Sequence, residues 1–150
     1  MTTTKTIAEQ FLADLNDIDR WVDLFAEDGV FEFPYLHEIG QQTRFEGKDA
    51  IRSLFERVLA QLSPLTFRNI VIHEMVDPSR VFVEYESKAT IKATGHPYIQ
   101  KYVSLLTVHD GKITLVREYL DIIATARMLL PNGLADVPSP GGPKPASHKR

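Results

Sequence analysis

Apolar residues recur at steps of three and four along the first part of the chain and at steps of two along the second, so helices are expected first and strands after. Ile7, Phe11 and Leu15 make the buried stripe of an opening helix, with Thr6 placed to cap it. The stretch "NDIDRWVDLFAEDG" predicts a turn and a short second helix carrying Trp21, Val22, Leu24 and Phe25, closed by Gly29. "VFEFP" predicts a brief strand stopped at Pro34, and "YLHEIGQQTRFEG" a loop long enough to serve binding. In "KDAIRSLFERVLAQL" the apolar positions Ile51, Leu54, Phe55, Val58, Leu59 and Leu62 fall on one face of a long amphipathic helix.

Four strand-like runs follow: Leu65–Met75, Val81–Ala93, Tyr98–Val108 and Ile113–Ile122. The turns between them, "DPSR", "TGHP" and "HDGK", have hairpin lengths, which predicts an antiparallel meander. "ATARMLL" predicts a short closing helix. The Pro-, Gly- and Ser-rich stretch from Pro131 to Arg150 is expected to be a flexible tail behind a single domain over residues 1–130. Helices beside a strongly bent sheet give an α+β fold, a curved antiparallel sheet wrapped around a long helix into a cone whose open end suits a small molecule.

Alternation assigns the faces of these strands unevenly. Glu84, Glu86 and Lys88 share one face of the second long strand and must be outward, which leaves Tyr85 and Ser87 pointing into the cone. In the next strand Tyr98, Gln100, Tyr102 and Ser104 oppose Ile99, Lys101, Val103 and Leu105, and Lys101 interrupts the more aliphatic face. In the last, Arg117 and Asp121 lie on one face and Glu118 and Leu120 on the other, so pattern alone allows either carboxylate to be internal.

Composition narrows the partners. The chain has 150 residues and a net charge of -3, so it lacks the basic excess that nucleic acid or an anionic membrane would require. It has no cysteine, which removes disulfides, thiol nucleophiles and thiolate metal sites, and no apolar run approaches membrane-spanning length. No His, Asp or Glu spacing suggests a metal site, and no glycine-rich phosphate loop or nucleophile elbow occurs. A cytoplasmic protein without a cofactor is the expectation.

Three stretches, "LFAEDGVFEFP", "FEGKDAIRSLFERVL" and "HDGKITLVREYLD", resemble the nuclear transport factor 2-like superfamily in its SnoaL-like branch, over about Ile7 to Leu130. The resemblance implies the cone fold and a range of activities that includes ketosteroid isomerase, limonene-epoxide hydrolase, polyketide cyclases and phenazine-biosynthesis proteins. Position by position it removes more than it supplies. The isomerase base falls on Phe33, and two of the three hydrolase groups fall on Tyr85 and Ser87. The third falls on Glu118, a position that points into the cone in this family and matches a proton-donating glutamate of phenazine-biosynthesis relatives.

The candidate catalytic residues are therefore Glu118, Tyr85 and Tyr102: a carboxyl whose pKa burial would raise, and two hydroxyls able to polarise a substrate oxygen. Ser87 and Gln100 are expected as polar lining, Trp21, Phe33 and Leu120 as walls, and Tyr35 and His37 as residues of the loop at the mouth. The expected function is cofactor-independent isomerisation, cyclisation or dehydration of a hydrophobic small molecule by proton transfer. The alternative is a ligand-binding or assembly module of the same fold. Open antiparallel sheets often pair through their outer faces, so a homodimer is also expected.

Overall fold

Thr3 caps the first helix where Thr6 was expected to. Its hydroxyl accepts from the Thr6 amide while the Thr6 hydroxyl accepts from the Thr3 amide, a reciprocal capping box that starts the helix three residues earlier. The computed structural model describes residues 2–140. It begins with α1 (Thr4–Ala13), which buries Ile7, Ala8, Phe11 and Leu12, and α2 (Ile18–Val22), capped by Asp17.

The second helix is shorter than its apolar pattern suggested, because Phe25 opens β1 (Phe25–Glu32) in register with Ile113. The expected brief strand "VFEFP" is thus the second half of an eight-residue strand. Gly29 lies where the two halves meet. A Cβ there would sit 3.0 Å from the Ala26 carbonyl oxygen and 3.1 Å from that of Ile113, so only glycine lets the two backbones approach this closely.

The expected long loop is largely structured: a 3-10 helix over Pro34–Ile39, ended by Gly40 at φ 72°, and β2 (Arg44–Glu46). Then come α3 (Lys48–Gln61), β3 (Thr66–Glu74), β4 (Arg80–Thr90), β5 (Pro97–His109), β6 (Lys112–Leu120) and α4 (Ile122–Leu129). A second 3-10 helix spans Gly133–Asp136, and Val137 packs against the core. The first residues of the expected tail therefore have defined positions, and residues 141–150 lie outside the described ones.

One six-stranded sheet runs β2-β1-β6-β5-β4-β3. Strands β3 to β6 form the expected antiparallel meander, but β1 pairs with β6 in parallel, so the sheet is mixed. Parallel neighbours need a long connection, and residues 33–111 supply it here. A register shift between Arg68 and Val71 marks a bulge in β3, where Asn69 takes φ 53° and bends the sheet.

The concave face closes over an aromatic core. Trp21 is fully buried, with ring centroids 4.4 Å from Phe55 and 4.9 Å from Phe25, and its indole donates to the Phe11 carbonyl at 2.9 Å. No helix among the described residues is long and apolar enough to cross a membrane.

Candidate active site

The inward faces of β4, β5 and β6 carry a polar stripe inside this apolar shell. Register sets it: Tyr85 lies opposite Tyr102, Ser87 opposite Gln100, and Ser104 opposite Glu118. The hydroxyl contacts run diagonally between these pairs. Tyr85 meets Ser104 at 2.8 Å, and Ser87 meets Tyr102 at 2.8 Å. The two tyrosine rings stack with centroids 4.5 Å apart and planes 10° from parallel.

Glu118 is the buried carboxyl of this stripe, 7% exposed, and its Oε1 accepts from the Tyr85 hydroxyl at 2.7 Å. Burial raises its pKa from 4.5 to about 7; the hydrogen bonds from Tyr85 and Ser104 pull the other way, because they favour the carboxylate. The tyrosines move in the same direction. Burial pushes Tyr98 up to about 12, and it holds Tyr85 and Tyr102 well above the ordinary phenol value, with the Glu118 charge adding to each. At neutral pH the site thus holds three neutral phenols around a carboxyl whose pKa burial brings close to neutrality.

A cavity of about 1390 Å³ opens over this stripe, with Glu118, Tyr85, Tyr98, Tyr102 and Leu120 in its wall. Trp21 and Phe33 line it beside Phe11, Phe55 and Phe67. His37 also reaches it, from the first 3-10 helix.

Three expected lining residues stand elsewhere. Tyr35 is about half exposed and packs edge-on against Tyr119, 5.2 Å between centroids, on the outer side of the sheet; the 3-10 helix turns it away from the mouth. Ser87 and Gln100 are fully buried and do not border the cavity. Ser87 stands behind Tyr102. Gln100 is a fully engaged clamp: its amide donates to the Tyr98 hydroxyl, the Thr125 hydroxyl and the Asp121 carbonyl, while its oxygen accepts from the Asp121 and Lys101 amides.

The second carboxylate of the strand has a structural task. Asp121 caps α4 by accepting from the Ile123 and Ala124 amides, which directs the helix across the cavity and brings Met128 and Leu129 into its wall. Arg117 points outward and donates to Glu32 at 2.8 Å, and Arg44 also pairs with Glu32.

Sequence reasoning missed Tyr98, Ser104 and Thr125 as site residues. The first two had a usable signal, since they share a face with Tyr102; Thr125 had none. Among the described residues no group of three or more His, Cys, Asp or Glu side chains is placed to hold a metal ion.

The comparisons agree with the fold. The Bacillus subtilis protein YesE is 34% identical over 103 residues, 69% of each chain. A PhzA/B-like protein of Pseudomonas aeruginosa is 32% identical over 108 residues, 72% of this chain and 75% of its own. The crystal structure of a proposed isomerase from Bacillus subtilis superposes with a TM-score of 0.77 at 30% identity, covering 83% of this chain and 91% of that one. The SnoaL-like domain family matches residues 8–116, most of the described chain. The chain belongs to the SnoaL-like domain family.

Proposed function

We propose that the protein is a cofactor-independent acid–base catalyst that isomerises, cyclises or dehydrates a hydrophobic small molecule, with Glu118 as the proton-transferring group. One observation carries this reading: a buried carboxyl with a pKa of about 7 borders a large apolar cavity. A carboxyl poised near neutrality is populated in both protonation states, which is what a group that gives and retakes a proton needs. Tyr85 holds Oε1, and the carboxyl borders the cavity where a ligand would meet it. The neutral acid gives its proton to a carbonyl or departing hydroxyl oxygen, and the carboxylate takes one back from carbon or oxygen.

Tyr102, stacked on Tyr85 and tied to Ser87, presents its ring and hydroxyl edge to the same space. Its role is to position a substrate oxygen. The proposed-isomerase structure and the PhzA/B-like relative support a small-molecule reaction of this class.

The test is turnover by Glu118→Gln and Tyr102→Phe proteins over a panel of unsaturated ketones, phenols and β-hydroxy carbonyl compounds. The reading expects kcat to fall by about a hundredfold or more in Glu118→Gln. Unchanged turnover would favour the binding-module alternative.

The proposal includes a cytoplasmic homodimer formed through the outer sheet face, where Val71, Ile99 and Val103 are exposed apolar residues among Glu84, Glu86 and Lys101. Sedimentation velocity should show a dimer, and Val103→Glu a monomer. A wild-type monomer would discard that part alone.

A further inference from the structure

Four acidic or basic side chains besides His37 line the cavity, and three of them are accounted for. Glu118 lies on the polar stripe with Tyr85. Arg44 pairs with Glu32 and Glu46. Asp136 accepts from the backbone amide and side-chain amide of Asn132.

The fourth, Arg57, makes no ion pair or hydrogen bond through its guanidinium among the described residues. Asp136 is not within ion-pair distance of it, and residues 141–150 contain no Asp or Glu side chain. Arg57 is exposed on α3, one turn before Gln61, and both border the cavity with the exposed Gln41 and Gln42 of the opposite loop. These residues make a polar mouth carrying a cation that is unpaired among the described residues. The buried end carries Glu118, and the wall between is aromatic: Trp21, Phe33, Phe55, Phe67 and Tyr98.

From this layout we infer that the ligand is a planar, largely aromatic or polyunsaturated molecule bearing an anionic group, held with its anion on Arg57 at the mouth and its reacting end at Glu118. A guanidinium that keeps its donors unspent is suited to a carboxylate or sulfonate, which it can grip through two parallel hydrogen bonds. Flat aromatic walls favour a flat ligand body through offset and edge-to-face contacts. The charge order also sets orientation, since a ligand entering with its anion first would bring it against the Glu118 carboxyl.

The inference rests on the reading of the cavity as a ligand site, and two probes separate the two ideas. 1-Anilinonaphthalene-8-sulfonate and N-phenyl-1-naphthylamine share one aromatic body, and only the first carries an anion. Trp21 is the single tryptophan and lines the cavity, so quenching of its fluorescence by energy transfer reports a bound probe, and the Arg57 variants report whether the sulfonate sits at the mouth.

In low salt, Arg57→Gln should weaken the sulfonate probe about tenfold, the loss expected for one charge-assisted contact, and leave the neutral probe unchanged. Arg57→Lys should restore most of the difference. If both probes bind and their affinity ratio is the same in Arg57→Gln, the anion subsite is wrong and the cavity reading stands. If neither probe quenches Trp21, both are overturned.

Discussion

The Tyr85 hydroxyl donates to Glu118 Oε1 at 2.7 Å from the adjoining inner face of the same sheet, and its ring stacks on Tyr102. The contact stabilises the carboxylate against the burial that disfavours it. Each phenol is held neutral far above physiological pH, so Tyr85 stays a donor whatever state Glu118 adopts.

Removing that donor has a defined sign. In Tyr85→Phe the carboxylate loses a charge-assisted hydrogen bond while its burial remains, so the Glu118 pKa should climb above 7, by about one unit. The side-chain carboxyl carbon shift, followed through a pH titration by NMR, reads this directly. A pKa that falls or stays fixed in Tyr85→Phe would show that the hydrogen bond does not tune the acid.

The same carboxyl makes stability depend on pH. Below about pH 4.5 it is neutral in folded and unfolded chains alike, and its burial carries no charge penalty. As pH rises toward 7 the unfolded chain releases its proton first and the folded chain keeps it. Stability therefore falls across this window, by about 3 kcal/mol in all, and levels off above 7. Glu118→Gln lacks this slope, so urea midpoints of the two proteins should diverge between about pH 4.5 and 7, with the variant gaining, and then keep a constant separation. Parallel profiles would mean that the carboxyl titrates normally.

How much of this was legible in the sequence varies strand by strand. The inner face of β4 was readable because Glu84, Glu86 and Lys88 occupy three successive outward positions. That of β6 was not, because Arg117 and Glu118 put one charge on each face. The tie is broken by Glu32, which receives Arg117 on the outer side from 85 positions away, a contact no local period contains.

Depth was as hidden as register. Alternation put Gln100 and Tyr102 on one face but could not show that Gln100 is spent inside the wall while Tyr102 reaches the cavity. The same limit hid Tyr35, whose 3-10 helix faces it outward. The parallel β1–β6 pairing is also nonlocal, and the hairpin signals around it carry no trace of it.

Gln100 gives the third prediction. Replacing it by Leu leaves the Tyr98 hydroxyl, the Thr125 hydroxyl and the Asp121 backbone without their buried partner, which should cost about 2–4 kcal/mol. The urea midpoint should drop with little change in m-value. Amide exchange should quicken in residues 122–129, which the clamp ties to the sheet. A near-neutral effect on both measurements would mean that water replaces the clamp.

The position of β6 between β1 and β5 also dictates the order in which the protein can be assembled. The strand bearing Glu118 is the last one made, and it must insert between two strands from opposite ends of the chain. Until it arrives, β1 and β5 have no common neighbour, and the aromatic residues of both halves share no closed wall. Such a closure is entropically late and gates folding, because its cost comes before its many contacts form. A ribosome-bound chain still short of residue 120 would therefore expose a half-built core, and the acid would enter the protein in the same step that seals it.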